Sequence, residues 1–312
     1  AFSTIGFIVV IHHGIPGDDP QTGLGGITER AFVASQKFFA LDKSVKKQLQ
    51  YTSPQANRGY IAMGQEKLDE DLPDIKETFD IGYDQDQDYS NQWPVGTDIH
   101  DEFKRAMVEY FEAYDDLHLN ILRALARGMG FENDDYFTPR CNQNHQNLRL
   151  LHYPECDRRD IVDKGQKRGG IHTDYGTITL VAQNGVGGLV AQKRNGDWVS
   201  VPPIPGGIAV NVGDMLQRWS NDILRATPHQ ILDDDPFSTL PKAERVPERY
   251  SIAFFCNANK DTSLECLPMC HSPERPPRYE PMNAYDYITM RLTATIPMNN
   301  NNKEEEEKQS NE

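Results

Sequence analysis

The sequence predicts a mainly β protein with flanking helices, arranged around a jelly-roll core. Three observations lead to this fold class. Many short β-rich runs, separated by Gly, Pro, Asn and Asp, fill the second half of the chain. Apolar residues at helical spacing are concentrated in the first half. The 312 residues are enough for one large hydrophobic core.

The order of these elements divides the chain into three parts. Residues 1–143 are expected to form a helical and strand region that packs on the core, and residues 144–298 to form the jelly roll, in one structural domain. Residues 299–312 include five Glu and two Lys, so we expect a disordered acidic tail. Because an apolar strand begins almost at the first residue, we expect that a preceding element of the domain is missing.

Two helices are predicted in the first part. Apolar residues recur at helical spacing over 27–50 and again over 101–130. The second helix would be about 40 Å long at 1.5 Å per residue, so it needs a broad surface to pack against. Gly128 and Gly130 are expected to end it.

The composition argues against two classes of partner. The net charge of −15 has the wrong sign for a surface that binds nucleic-acid phosphates. No run approaches the roughly 20 apolar residues of a membrane-spanning helix. The five cysteines are irregularly spaced, so we expect no disulfide framework and a cytoplasmic location. A small molecule is the expected partner.

The segment GGIHTDYGTITLVAQ (169–183) is predicted to be one strand, with His172 and Asp174 on the same face of its front end. Side chains two residues apart on a strand can converge on one ion. His229, in a later β-rich run, is the best candidate for a third ligand. Two histidines and one carboxylate on neighbouring strands form the facial triad that is typical of non-haem Fe(II) oxygenases. The pair His-x-Asp also occurs by chance, so this hypothesis needs support from other residues.

Arg249 and Ser251 give that support. They lie two residues apart on another predicted strand, again on one face. A buried arginine without a partner costs several kcal/mol, whereas a guanidinium and a hydroxyl together can hold a carboxylate. We therefore expect an anionic ligand beside the metal site.

These motifs resemble those of the Fe(II)- and 2-oxoglutarate-dependent dioxygenases, in the isopenicillin N synthase-like group. The resemblance covers nearly the whole chain. Its segments are IGFIVVIHHGIP, SQKFFALDKSVKKQL, RGY (58–60), HTDYGTITLVAQ, GGL (187–189), NVGDMLQRWSND and TPHQI. The family's fold is a distorted double-stranded β-helix with helices packed outside, which agrees with the predicted fold class.

The resemblance implies that His172, Asp174 and His229 ligate Fe(II). It implies 2-oxoglutarate and O2 as cosubstrates, succinate and CO2 as products, and ascorbate as the reductant.

The resemblance also implies that Arg249, Ser251 and Tyr153 bind the distal carboxylate of 2-oxoglutarate. The family usually has Asn two residues before this tyrosine. Here that position is Leu151, so one contact of the family's pattern is missing.

Within the group, the chain is most similar to the fungal thymine 7-hydroxylase type, in segments such as NLRLLHYP and RYSIAFFCNAN. This similarity implies Arg149 and Gln146 at the polar edge of the substrate, with Tyr175 and Phe255 on either side of a flat ring. For the two aromatic residues, ordinary packing of the cavity wall is the alternative. The expected reaction is hydroxylation of a small planar or ring-containing molecule, either a nucleobase such as thymine or a fungal secondary metabolite.

Two other functions stay open on the sequence alone. An oxidase of the isopenicillin N synthase kind would use the same iron ligands without 2-oxoglutarate. A non-catalytic jelly roll could bind an organic acid, although a binding protein has no need of three metal ligands.

Overall fold

The structure is a computed structural model, and the residues it describes are 1–19, 21–22, 25–66, 74–162, 167–232 and 244–295. Within these ranges the chain forms thirteen β-strands and six α-helices, each numbered in chain order. None of these helices is both long and apolar enough to cross a lipid bilayer. The predicted acidic tail, 299–312, lies outside the described residues.

The larger of two main sheets has seven strands, each antiparallel to its neighbours. They are β1 (Phe7–Ile11), β2 (Gly59–Ile61), β3 (Glu77–Ile81), β4 (Asn147–Tyr153), β7 (Ile178–Gln183), β10 (Gly207–Val212) and β13 (Arg249–Phe255). Their order across the sheet is β1-β10-β7-β13-β4-β3-β2. β4 and β13 therefore lie side by side near the middle.

The smaller sheet has four antiparallel strands in the order β6-β11-β8-β9. They are β6 (Gly169–His172), β8 (Leu189–Gln192), β9 (Trp198–Ser200) and β11 (His229–Ile231); a separate pair is formed by β5 (Cys156–Asp157) and β12 (Arg245–Val246). From β6 to β13 the chain passes repeatedly from one main sheet to the other. This alternation confirms the predicted double-stranded β-helix.

The prediction of a single strand over 169–183 is wrong. β6 and β7 belong to different sheets, and residues 173–177 cross between them. A Cβ on Gly176 would lie 2.2 Å from the carbonyl oxygen of Cys256. Glycine therefore permits a close backbone approach at this crossing, and Asp174 lies in the loop rather than on a strand.

Helices cover the outer face of the larger sheet. α1 (Ile27–Phe39) packs beside α3 (His100–Met129), and the rings of Phe111 in α3 and Phe254 in β13 are 5.1 Å apart. α3 confirms the long helix predicted from apolar spacing. Gly130, with a left-handed φ of 86°, ends it.

The helix predicted over 27–50 is divided in two. After α1 ends, the carboxylate of Asp42 accepts a hydrogen bond from the Ser44 backbone N–H at 2.7 Å and caps α2 (Lys43–Lys47). Apolar spacing carries no signal for such a new helix start, whereas an aspartate N-cap does. The remaining helices are α4 (Arg158–Val162), α5 (Asp214–Trp219) and α6 (Ala284–Thr295).

The larger sheet separates two apolar layers, as β13 illustrates. Ile252 and Phe254 belong to the main core, on the side of α1 and α3. Arg249, Ser251 and Phe255 alternate with them and face the space between the two sheets. The polar face of β13 is therefore directed at the interior of the jelly roll.

Candidate active site

A cavity of about 140 Å³ lies between the two sheets. Every second residue of β4 and β13 lines it: Asn147, Arg149, Leu151 and Tyr153 from β4, and Arg249, Ser251, Ala253 and Phe255 from β13. Of the ten residues predicted from the sequence to form the site, nine line this cavity, and Gln146 does not.

His172, Asp174 and His229 meet at one point of the cavity wall. β11 pairs with β6 so that His229 stands directly opposite His172. Asp174 Oδ1 lies 3.8 Å from His172 Nε2 and 3.7 Å from His229 Nε2. One possible ligand atom from each residue lies within 4.8 Å of the others, and no second group of this kind occurs in the described part of the chain.

The hydrogen bonds of both imidazoles leave Nε2 free. Nδ1 of His172 bonds the carbonyl oxygen of Gly170 at 2.8 Å, and Nδ1 of His229 bonds that of Thr227 at 3.0 Å. A backbone carbonyl can only accept, so each ring carries its proton on Nδ1 and its lone pair on Nε2. Two such nitrogens beside one carboxylate are a donor set that fits Fe(II).

Asn211 on β10 fixes the carboxylate of Asp174. Its buried Nδ2 donates to Asp174 Oδ2 at 2.6 Å, so that Oδ1 faces the two histidines. Burial alone would raise the pKa of Asp174, but His229 and His172 outweigh it and hold the pKa below its ordinary value. Burial and the neighbouring His229 lower the pKa of His172 to about 4. Near neutral pH these two groups are therefore in the forms that bind a metal.

Arg249 lies deeper in the cavity and is only 1% exposed. Its Nη1 donates to Ser251 Oγ at 2.9 Å, and its Nη2 donates to Gln183 Oε1 at 3.1 Å. Its guanidinium also lies 5.0 Å from the ring centre of Tyr153. These hydrogen-bond partners, all within the described ranges, are neutral, and burial lowers the pKa of Arg249. An anionic ligand would offset this uncompensated charge.

The pairing of β4 with β13 places Tyr153 opposite Arg249 and Leu151 opposite Ser251. Tyr153 is 3% exposed. Leu151 lines the cavity where the family usually has an amide, so this part of the wall is apolar.

Arg149 faces the same cavity, but two carboxylates balance its charge. Its Nε and Nη2 donate to the two carboxylate oxygens of Asp80 at 2.8 and 2.9 Å, and its Nη1 donates to Glu66 Oε1 at 2.9 Å. Three of the five N–H groups of the guanidinium are thus used. Two remain that could meet a neutral ligand.

Tyr175 and Phe255 both line the cavity. The ring centre of Phe255 lies 5.8 Å from the guanidinium of Arg149. The guanidinium of Arg291, from α6, lies 4.2 Å from the ring centre of Tyr175. A cation therefore already covers one face of Tyr175, which leaves at most one face for a substrate ring.

Gln146 faces away from the cavity, which contradicts its predicted substrate contact. Its Nε2 donates to Asp115 Oδ1 at 2.7 Å and to the carbonyl oxygen of Cys141 at 3.1 Å. The reason is strand alternation: Asn147 and Arg149 face the cavity, so the residue before Asn147 turns toward α3, which carries Asp115.

Three charged residues of this region, Glu66, Asp74 and Lys76, were not identified in the sequence. Glu66 and Lys76 line the cavity. Lys76 Nζ lies 2.7 Å from Asp74 Oδ2 and 3.1 Å from Glu66 Oε2. The sequence signal for Asp74 and Lys76 was polar alternation in the run DIKETFDIG (74–82), where Lys76 shares the face of Asp80.

Known proteins are similar to this chain along most of its length. Residues 144–258 match the 2OG-Fe(II) oxygenase superfamily, and residues 1–96 match the N-terminal region described as non-haem dioxygenase in morphine synthesis. The proline hydroxylase buaE of Petromyces alliaceus is 36% identical over an alignment of 308 residues that covers 95% of this chain and 91% of that protein. The 2-oxoglutarate-Fe(II) type oxidoreductase ppzD of Metarhizium rileyi is 32% identical, over 94% and 83% of the two chains.

A solved structure shows the same fold. The full-length thymine 7-hydroxylase of Neurospora crassa, in complex with alpha-KG and thymine, is 37% identical with a TM-score of 0.83. The match covers 94% of this chain and 88% of that one. The complex of the same enzyme with alpha-KG and 5-formyluracil gives a TM-score of 0.84.

Fold, site and relatives together define an iron-dependent oxygenase. The chain belongs to the 2OG-Fe(II) oxygenase superfamily. It is a dioxygenase that uses Fe(II), 2-oxoglutarate and O2. Neither an oxidase that omits 2-oxoglutarate nor a non-catalytic binding protein is supported by these relatives.

Proposed function

We propose that this dioxygenase hydroxylates a small, neutral, ring-containing molecule, with a nucleobase such as thymine as the preferred class. The observation that carries the proposal is the charge contrast between the two ends of the cavity. Arg249 contacts no anion among the described residues, whereas Arg149 contacts two carboxylates. An anionic cosubstrate suits the first arginine, and a neutral polar substrate suits the second.

His172 and His229 would ligate Fe(II) through Nε2, and Asp174 through Oδ1. Iron held by these three residues would supply the redox chemistry that links decarboxylation of 2-oxoglutarate, to succinate and CO2, with oxidation of the substrate by O2. The protein's own part is to accept hydrogen bonds from both Nδ1–H groups at the carbonyls of Gly170 and Thr227, which holds both rings in the ligating tautomer.

Arg249, with the hydroxyls of Ser251 and Tyr153, would hold the far carboxylate of 2-oxoglutarate. A guanidinium fork binds a carboxylate bidentately and so fixes its orientation. Leu151 would contact the methylene groups of 2-oxoglutarate, in place of the family's amide contact.

Phe255 and Tyr175 would pack against a flat substrate ring. The two unused N–H groups of Arg149 would donate to a ring carbonyl. Asp80 and Glu66 hold this guanidinium in place before the substrate arrives, which lowers the entropic cost of binding.

A charged amino acid is the second candidate substrate, because one relative is named as a proline hydroxylase. Its carboxylate would need an unpaired cation besides Arg249. Lys76 and Arg149 each already contact two carboxylates. The cavity wall therefore favours a neutral ring, either a nucleobase or a secondary metabolite. We also infer a cytoplasmic location, in keeping with the lack of a disulfide bond among the five cysteines, which all lie in the described ranges.

The test is succinate release from 2-oxoglutarate under air, with Fe(II) and ascorbate, measured by mass spectrometry. Thymine, uracil, an aromatic polyketide and free proline are compared side by side, with His172→Ala as the inactive control. We expect a neutral ring to stimulate succinate release more than proline does. Stimulation by proline alone would reassign the substrate class, and release no faster than in the control under every condition would overturn the proposal.

A further inference from the structure

A continuous chain of buried charges runs along the cavity wall. It begins at Arg149, which contacts Glu66, and continues from Glu66 to Lys76 and from Lys76 to Asp74. The side chains of Glu66, Lys76 and Asp74 are each no more than 4% exposed. Buried ion pairs are costly because both charges lose their hydration, and they often contribute little to stability. Stability alone therefore does not explain why these charges are buried beside the cavity.

This series of buried charges ends at the backbone of β6. Asp74 uses Oδ2 for Lys76 and Oδ1 to accept a hydrogen bond from the Gly170 N–H at 3.1 Å. The carbonyl of the same Gly170 accepts from His172 Nδ1 at 2.8 Å. One residue, Gly170, therefore connects the carboxylate of Asp74 with a proposed iron ligand.

β6 needs this support because it is an edge strand. Among the described strands only β11 pairs with it, so its other side has no strand neighbour. The segment before β3 takes that side: Ile75 N–H donates to the carbonyl of Lys167 at 2.8 Å, and Asp74 accepts from Gly170. An edge strand without such contacts would be freer to shift, and His172 would shift with it.

The second histidine has a different setting. His229 lies on β11, which pairs with β6 on one side and β8 on the other. Its side chain is 9% exposed, against 25% for His172. His172, the more exposed of the two histidines, is therefore the one connected through Gly170 to the series of buried charges.

We propose that Asp74, held by Lys76, is a positioning residue that orients His172 through Gly170 and so sets the affinity of the metal site. This inference rests on the proposed iron site. Partners that orient a ligating histidine typically change metal affinity by 10- to 100-fold when they are lost.

The test uses Co(II) alone, titrated into the metal-free protein and followed by calorimetry. The variant Asp74→Leu/Lys76→Met replaces the buried pair with apolar side chains of similar size, a change that folded proteins often tolerate. We expect Co(II) binding to weaken by roughly 10- to 100-fold. Asp74→Asn should recover most of this loss, because an amide oxygen can still accept from Gly170.

A matched control is available beside the start of β3, next to Lys76 in the sequence. Lys46 and Glu77 form a buried pair at 2.8 Å, with side chains 5% and 9% exposed. Glu77 faces away from the cavity and bonds His152, not a proposed ligand. The equivalent swap, Lys46→Met/Glu77→Leu, should leave Co(II) affinity unchanged even if it lowers stability.

A second readout separates positioning from general destabilisation. In the Co(II) protein, the Nδ1 protons of the two ligating histidines should give separate, strongly shifted NMR signals. We expect the Asp74→Leu/Lys76→Met swap to accelerate solvent exchange of one signal, that of His172, and to leave that of His229 unchanged. If the swap does not fold, Asp74→Ser replaces it, since its shorter side chain cannot reach Gly170.

Three outcomes would contradict different statements. Unchanged Co(II) affinity in the swap, with affinity abolished by His172→Ala, would overturn the positioning role of Asp74 alone. Unchanged affinity in His172→Ala would overturn the proposed iron site itself. Equal weakening in Asp74→Asn and in the swap would exclude the hydrogen bond to Gly170 as the cause.

Discussion

Arg149 and Arg249 lie on neighbouring strands and face the same cavity, yet their surroundings differ. Arg149 contacts Asp80 and Glu66, and its charge is balanced within the protein. Arg249 contacts a hydroxyl and an amide, and its charge has no anionic partner in the described part of the chain. A buried arginine that is paired holds structure in place, whereas one that is unpaired is suited to binding an anionic ligand. The same residue type thus has two uses within one cavity.

The largest effect should come from removing the paired arginine. Arg149→Leu removes the bidentate partner of the buried Asp80 carboxylate and leaves Glu66 with Lys76 alone, which should cost about 3–5 kcal/mol of the free energy of unfolding. Denaturant unfolding of the metal-free protein measures this. If Arg149→Leu is as stable as the wild type, Arg149 does not have the structural role that distinguishes it from Arg249.

Removing Arg249, which has no anionic partner among the described residues, should weaken ligand binding rather than stability. Arg249→Leu should weaken 2-oxoglutarate binding by about 2–5 kcal/mol, because the buried carboxylate of the cosubstrate loses its counter-charge. Without 2-oxoglutarate the variant should be at least as stable as the wild type, since an uncompensated charge has been removed. Calorimetric titration and thermal melts with and without 2-oxoglutarate test both parts. A large loss of stability without ligand would show that Arg249 has a structural partner after all.

Low pH should reduce the stability contributed by the ion pairs of Glu66 with Lys76 and Arg149. Lys76 and Arg149 outweigh the effect of burial and lower the pKa of Glu66 to about 2. The folded pKa lies below the unfolded one, so this stabilisation is present above pH 4.5 and is lost as the pH falls toward 2. The amide of Glu66→Gln does not titrate, and the stability difference from the wild type should therefore shrink across this window, by up to about 3 kcal/mol. Denaturant unfolding at several pH values measures it, and a constant difference would contradict the pairing.

The smallest effect concerns the apolar position opposite Ser251. Leu151→Asn restores the amide that the family usually has there, and one added hydrogen bond is worth about 0.5–1.5 kcal/mol. We expect the dissociation constant for 2-oxoglutarate to fall slightly, with substrate selectivity unchanged. Weaker binding would indicate that Leu151 contributes an apolar contact of greater value than the amide.

The sequence was sufficient for the fold class and for proposing nine residues that the structure brings to one cavity. His-x-Asp, a distant His and Arg-x-Ser were recognisable because strand alternation and metal-ligand chemistry restrict which residue types can serve. Gln146 was misplaced because one step along a strand reverses the side that a residue faces. A similarity between sequences does not reveal that reversal unless the start of the strand is known.

The contacts behind the site could not be predicted from the sequence. Asn211 meets Asp174 from 37 positions away, and Asp74 meets Gly170 across 96. Such pairs arise from the crossing of two sheets, and neither local spacing nor hydrophobic periodicity encodes them. The break of 169–183 into two strands was missed for a related reason, because alternation continues unchanged through the crossing.

The alternation of β4 and β13 has a consequence for how such an enzyme diversifies. Leu150, Ile252 and Phe254 build the main core, while their sequence neighbours face the cavity. Selection can therefore exchange cavity-facing residues such as Ala253 while the packing beneath α1 and α3 is preserved. An engineer seeking a new substrate could randomise these inward positions as a small library and expect most members to fold.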